Sequence, residues 1–333
     1  MARQVNVRGV IEGFYGPPWR HEERLELLRF CGAHGFNTWV HAPKDDPYHR
    51  QRWRDPYPDG ELQEFAELVA EAERQDVELV YALAPGVDIG AGSEADVFAM
   101  QRKCAQLQSV GVRAFHLLWD DLERETAPTA EEQALLTNRF ARAVAQERPL
   151  VVCPMGYAGT GETQYRSAFA PVLDDDIVVY WTGPEVVSAE IVREQLDAAS
   201  RSFDGHQLLL WDNYPANDFS PDVFFLGPLT HRDPRLADGN VGGIVANAMV
   251  QAVPSKLALA TVAEWARDPA GYDAIAAFER ALRAHGAEVV DALRALGGSA
   301  DRTTPPHDLG ALVAALAGGV SAGTAVGLLE PLV

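Results

Sequence analysis

The sequence predicts an α/β protein: a closed (β/α)8 TIM barrel followed by a short all-helical C-terminal region. Three observations carry this. Short apolar runs alternate with amphipathic helical stretches, the pattern of parallel β/α architecture. Eight such runs fit within about 250 residues, the usual compass of one closed barrel. After Pro254 the strand-like runs stop and only helical patterns continue. The alternation alone would also suit an open doubly wound sheet, so the count of eight decides for the barrel.

In chain order the strand candidates are Val7–Glu12, Thr38–Ala42, Leu79–Ala84, Ala114–Trp119, Leu150–Pro154, Ile177–Trp181, Gln207–Trp211 and Gly243–Asn247. Between them, apolar residues recur at helical spacing with charges on the opposite face: Leu25, Leu28 and Cys31, then Leu62, Phe65, Val69 and Ala72, then Leu135, Leu136, Phe140 and Val144. Ser93 and Pro128-Thr129 stand where helix caps belong. Leu257–Trp265 reads as the last barrel helix. The barrel therefore spans 5–268, and a helical appendage spans 269–333. Within the appendage the pattern gives helices at Tyr272–His285 and Glu288–Leu296, and an Ala/Gly-rich pair after Pro305-Pro306. No internal repeat of 20–50 residues is visible.

Composition narrows the function. With 28 Lys+Arg against 48 Asp+Glu, the net charge of −20 repels phosphate backbones, so nucleic acid is not an expected partner. A hydrophobic share of 47% supports a sizeable core, and 23% charged residues with 28 Gly and 21 Pro exclude disordered and collagen-like chains. The three cysteines, Cys31, Cys104 and Cys153, lie far apart. Without CxxC or HExxH, neither a disulfide framework nor a zinc site is supported, and the cytoplasm is the expected compartment. Met1–Val10 lacks the apolar core of a signal peptide. Leu309–Leu329 is uncharged and long enough to cross a bilayer, yet it is rich in Gly and Ala and no basic residue follows it. It reads as packed small-residue helices, and membrane contact is not expected.

The loops after the C-terminal strand ends build the site of such a barrel. They carry Glu12-Gly13-Phe14-Tyr15-Gly16, Lys44-Asp45-Asp46, Asp120-Asp121, Tyr157, Trp181-Thr182-Gly183, Trp211-Asp212-Asn213 with Asn217-Asp218, and Asn247. The third strand ends in the less distinctive Pro85-Gly86-Val87-Asp88. Rings with amides, carboxylates and a lysine suit a sugar, whose apolar face stacks while its hydroxyls take hydrogen bonds. Asp174-Asp175-Asp176 precedes a strand and reads as solvated surface at the other end. Cys153 reads as a buried core thiol, and His41 and His116 receive no catalytic role.

Asp120-Asp121 is the sharpest feature, because an apolar strand delivers two adjacent carboxylates to the barrel mouth. Three chemistries fit the pair: one partner acting as a proton donor, a cap on the following turn, or a site for a hard cation. Most glycosidases flank the scissile bond with carboxylates about 5 to 9.5 Å apart, an arrangement that neighbours on one strand end cannot easily make. Two carboxylates on one side suit substrate-assisted hydrolysis, with the 2-acetamido oxygen of the sugar as nucleophile. The adjacency by itself identifies no substrate.

The motifs resemble glycoside hydrolase family 84, the O-GlcNAcase and bacterial β-N-acetylglucosaminidase (hyaluronidase-like) family. The resemblance rests on Gly9-Val10-Ile11-Glu12-Gly13-Phe14-Tyr15-Gly16 with Pro18-Trp19, Ala42-Pro43-Lys44-Asp45-Asp46, Trp119-Asp120-Asp121, Trp181-Thr182-Gly183-Pro184, Trp211-Asp212-Asn213, Ala216-Asn217-Asp218 and Ala246-Asn247. It implies a retaining exo-β-N-acetylglucosaminidase working through an oxazoline intermediate, with no cofactor and no metal. Asp120 would polarise the acetamido group, and Asp121 would serve as acid and then base. Tyr157 and Asn213 would hold the acetamido oxygen, and Trp211 would line the acetyl pocket. Gly13, Lys44, Asp218 and Asn247 would bind the sugar hydroxyls. The implied substrate is a GlcNAc-containing glycoside or glycoprotein. The helical region would shape the cleft or support a homodimer.

Overall fold

The computed structural model describes residues 5–90, 93–123, 125–144, 148–296 and 309–333. Eight parallel strands close into a barrel. Its first seven are β1 (Val7–Glu12), β2 (Thr38–His41), β3 (Glu78–Leu83), β4 (Ala114–Leu118), β5 (Val151–Cys153), β6 (Val178–Trp181) and β7 (Leu208–Asp212). A two-residue strand, β8 (Val223–Phe224), lies outside the barrel, and β9 (Val241–Asn247) completes the ring between β7 and β1. All eight expected strands are present, each within two residues of its expected bounds. The outer helices are α1 (His21–His34), α2 (Asp59–Arg74), α3 (Glu94–Gln108), α4 (Ala130–Ala143), α5 (Gln164–Phe169), α6 (Arg193–Ser202) and α7 (Ala252–Arg267). Ser93 Oγ accepts from the Asp96 amide, and Thr129 forms a capping box with Glu132, so the expected caps start α3 and α4.

Alternation along the strands decides what reaches the mouth. Ile11, Val40, Ala82, Ala114, Leu118, Leu209, Trp211 and Val245 point into the barrel. Their neighbours Val10, Trp39, Tyr81, Phe115, Trp181, Leu210 and Ile244 pack under the helices. The same parity removes two carboxylates from the functional inventory. Glu12 faces outward, wholly buried, and accepts two bonds from Arg24 (2.9 Å each) and one from the Trp19 amide (2.9 Å). Asp212 likewise takes the Arg232 fork at 2.7 and 2.8 Å. Both are fully paired and serve the scaffold. Trp181, also outward, spends its indole N–H on the Gly159 carbonyl.

The C-terminal region departs from expectation in one place. Tyr272–His285 and Glu288–Leu296 are parts of a single helix, α8 (Ala274–Ala295), which packs along α7. Gly286 does not end it. A Cβ there would lie 2.4 Å from Val333 and 2.9 Å from Leu282, so the glycine permits close packing inside the helix. Leu309–Leu329 divides into α9 (Leu309–Ala317), the two-residue β10 (Val320–Ser321) and α10 (Ala322–Leu329). Gly319, at φ +82°, makes the break. No described helix is long and apolar enough to cross a membrane. β10 pairs antiparallel with β8, tying this region to the long loop after β7. Pro305-Pro306 lies outside the described residues.

Candidate active site

The nine residues singled out from the sequence, Gly13, Lys44, Asp120, Asp121, Tyr157, Trp211, Asn213, Asp218 and Asn247, all line one cavity of about 470 Å³ at the C-terminal end of the barrel. Six barrel strands and the loops after them supply these residues. The cavity is of the size that holds a small ligand.

Asp120 follows β4 in the inward parity, and only 7% of it is exposed. Its Oδ2 accepts from Lys44 Nζ, which reaches in from the loop after β2. Lys44 Nζ also stands 5.5 Å from the centre of the Trp211 ring. Asp46 is engaged by His41 and the Tyr57 hydroxyl. The other oxygen of Asp120, Oδ1, is buried and has no hydrogen-bond partner. An unpaired buried carboxylate oxygen costs about 1–3 kcal/mol or more, so this atom is an open acceptor within a lined cavity.

Asp121 turns away from its neighbour because its backbone is left-handed, φ +54°, an uncommon state for a non-glycine residue. Adjacent residues thereby present two carboxylates in different directions on one side of the cavity. Asp121 Oδ1 accepts from the Tyr157 hydroxyl (2.8 Å) and Oδ2 from the Tyr15 hydroxyl (2.9 Å). Burial first, and then the charge of Asp121, holds the Tyr157 hydroxyl above the ordinary tyrosine range, so it stays a proton donor.

The opposite wall is a chain of amides. Gly13 donates its N–H to Asn247 Oδ1 (3.1 Å), and Asn247 Nδ2 and Trp211 Nε1 both donate to Asn213 Oδ1 (2.9 Å each). Asn213 Nδ2 in turn donates to the Val186 carbonyl at 2.7 Å. This fixes the Trp211 ring edge-on to Tyr180 and close over Gly13, where a Cβ would stand 2.6 Å from the ring. Only glycine fits there. Asp218 accepts from the Tyr15 amide (2.8 Å), and its loop also carries Phe219.

Sequence reasoning missed several of the groups at this site. Tyr15, Cys153, Thr182, Val186, Val187 and Phe219 also line the cavity, and Arg50 stands behind Tyr15. Cys153 is buried, as expected, but its inward parity on β5 puts it in the cavity wall; counting alternate residues from Val151 would have found it. Tyr15 and Thr182 stood within the quoted motifs, with no role assigned to either. Nothing in the sequence marks Arg50.

A closed parallel barrel with two carboxylates, a lysine and a buried tryptophan at its mouth belongs to the class of barrel glycoside hydrolases. The family model for beta-N-acetylglucosaminidase matches residues 8–297. The chain is 33% identical over 271 residues to the protein O-GlcNAcases of Rattus norvegicus and Mus musculus, covering 77% of this chain and 29% of each relative. It thus spans less than a third of the length of these relatives. Among solved structures, CpGH84B superposes with a TM-score of 0.79 at 35% identity, covering 84% of this chain and 51% of that one. A mutant of the Thermobaculum terrenum O-GlcNAc hydrolase superposes with a TM-score of 0.80 at 32% identity, covering 86% and 65%. The chain belongs to the β-N-acetylglucosaminidase family, glycoside hydrolase family 84.

Proposed function

We propose that this protein is a retaining exo-β-N-acetylglucosaminidase that removes terminal β-linked GlcNAc by substrate-assisted catalysis. The observation that carries this reading is the free Oδ1 of Asp120. A buried carboxylate held by Lys44 through one oxygen and open through the other is a ready acceptor for an acetamido N–H. With that N–H bound, the acetamido carbonyl oxygen attacks C1. The C1–O bond breaks toward the leaving oxygen, which takes a proton from Asp121. The Tyr157 hydroxyl moves from Asp121 to the acetamido oxygen, and Asn213 holds the same group. Asp121, now a carboxylate, takes a proton from water as that water attacks C1; the oxazoline C1–O bond breaks, its electron pair restores the acetamido carbonyl, and the configuration is retained.

Trp211 bounds the pocket for the acetyl methyl, while Gly13, Lys44, Asp218 and Asn247 fix the hydroxyls. The catalytic unit on this reading is the barrel, 5–268, with 269–333 as a helical appendage that shapes the cleft or supports a homodimer. The substrate is a neutral GlcNAc glycoside or an O-GlcNAc glycoprotein, met in the cytoplasm. Turnover of aryl β-GlcNAc beside aryl β-glucose tests the mechanism. Cleavage of the first alone is expected. Comparable cleavage of both would sink it, since glucose has no acetamido nucleophile.

A further inference from the structure

Arg50, on the loop after β2, makes two contacts that no role in the proposed reaction yet explains. Its Nη1 donates to the Tyr15 hydroxyl at 2.6 Å and its Nη2 to the backbone carbonyl of Asp121 at 3.1 Å. Its guanidinium carbon also stands 5.4 Å from the centre of the Tyr15 ring. A guanidinium has donors only. The Tyr15 oxygen must therefore accept from Arg50, and its single proton is left for its other partner, Asp121 Oδ2, at 2.9 Å. The second contact grips the peptide whose φ of +54° points Asp121 away from Asp120.

We propose that Arg50 is a positioning residue that decides which oxygen of Asp121 carries the catalytic proton. This rests on the reading of Asp121 as acid and base. With Oδ2 occupied by the proton of Tyr15, a proton added to Asp121 belongs on Oδ1. Oδ1 is the oxygen bonded by Tyr157 in the free protein, and it is released when Tyr157 turns to the acetamido group. Arg50 thus points the acid at the leaving oxygen without touching the substrate. The charged and titratable groups around Asp121 are Tyr15 beyond β1, Lys44 and Arg50 beyond β2, its neighbour Asp120, Cys153 and Tyr157 on and beyond β5, and Asp218 beyond β7.

The test is kcat/KM across aryl β-GlcNAc substrates of graded leaving-group acidity, for the native protein, Asp121→Asn, Arg50→Met and Arg50→Lys. Acid assistance matters most for poor leaving groups, so Arg50→Met should lose roughly tenfold more with the poorest than with the best. Its slope should fall between native and Asp121→Asn. Arg50→Lys, which keeps the charge but cannot span both acceptors, should lie closer to native, and added guanidinium should restore part of the Arg50→Met loss. An equal loss across the series, or a lower Tm with the native slope, would overturn the proposal. If Arg50→Met does not fold, the slope of Arg50→Gln, which also lacks the charge and the fork, decides in the same way. A native slope in Asp121→Asn would instead strike the acid assignment itself.

Discussion

The barrel has a cavity at each end, and the larger is not the site. At the C-terminal end, about 470 Å³ is lined by three carboxylates, a lysine, a tryptophan and four amide or phenol groups. At the N-terminal end, about 750 Å³ opens beneath Val80, Ala114, Val151, Val178 and Leu209. Several polar groups at the lower end are engaged with one another. Glu78 pairs with Arg148, Asn37 bonds Arg8, Thr38 and Asn6, and His116 bonds the Tyr180 hydroxyl. At the upper end one carboxylate oxygen is buried with nothing to accept from. Volume at the lower end goes with the small Ala114 and Gly242 in its lining. Function follows from unsatisfied polar atoms, which the scaffold maintains at a cost and a ligand relieves.

The largest effect that could break this contrast is at Asp120. Asp120→Asn should lower kcat/KM for an activated aryl β-GlcNAc by about 10²–10³-fold, the usual loss for one preorganised electrostatic group. Unchanged turnover would erase the distinction between the two ends. Next is Lys44→Met, which strands the Asp120 charge beneath the mouth. Removing one partner of a buried pair typically costs about 3–5 kcal/mol, to be read from denaturant unfolding, and activity should fall with it. Loss of activity without loss of stability would mean that Lys44 serves only the substrate.

The lower end should answer to pH rather than substrate. His34, at the end of α1, faces His285 of α8 with their Nε2 atoms 2.9 Å apart, and Glu288 holds His285. Burial first, then the neighbouring His285, brings the His34 pKa down to about 4. A depressed histidine leaves the unfolded chain binding the proton first. Stability is therefore retained above about pH 6.5 and falls as pH drops from there toward 4. His34→Phe should flatten that slope of Tm against pH, and an unaltered slope would remove the pair from account. The smallest effect is expected from Ala114→Val at the lower cavity: kcat/KM within twofold and a gain of up to about 0.8 kcal/mol per methyl newly buried. A large loss of activity there would show that the two ends communicate.

Much of this was legible in the sequence because a parallel barrel makes each strand a short apolar run with its chemistry at one end. The strand ends named Asp120, Asp121, Trp211 and Asn247 directly. Parity along the strand, applied more strictly, would also have set aside Glu12 and Asp212 and added Cys153. The Lys44–Asp120 pair was hidden because its members stand 76 residues apart, joined only by how β2 and β4 sit around the ring. Arg50 was hidden because its work is done through Tyr15. The length of α8 was misread for a different reason. Glycine usually marks a helix end, and Gly286 is instead a contact surface.

The ribbon of β8 and β10 bears on how the molecule comes into being during synthesis. Asn217, Asp218 and Phe219 lie on the loop that β8 belongs to, and β8 has its strand partner only at Val320–Ser321. A nascent chain can close its eight-stranded ring once β9 has left the ribosome. The lip bearing Asp218 gains its ribbon some 73 residues later, the gap between Asn247 and Val320, and such distant pairings are slow to form. The carboxylates therefore take their places before the rim around them is braced, and binding competence should be the last property this chain acquires as it is made.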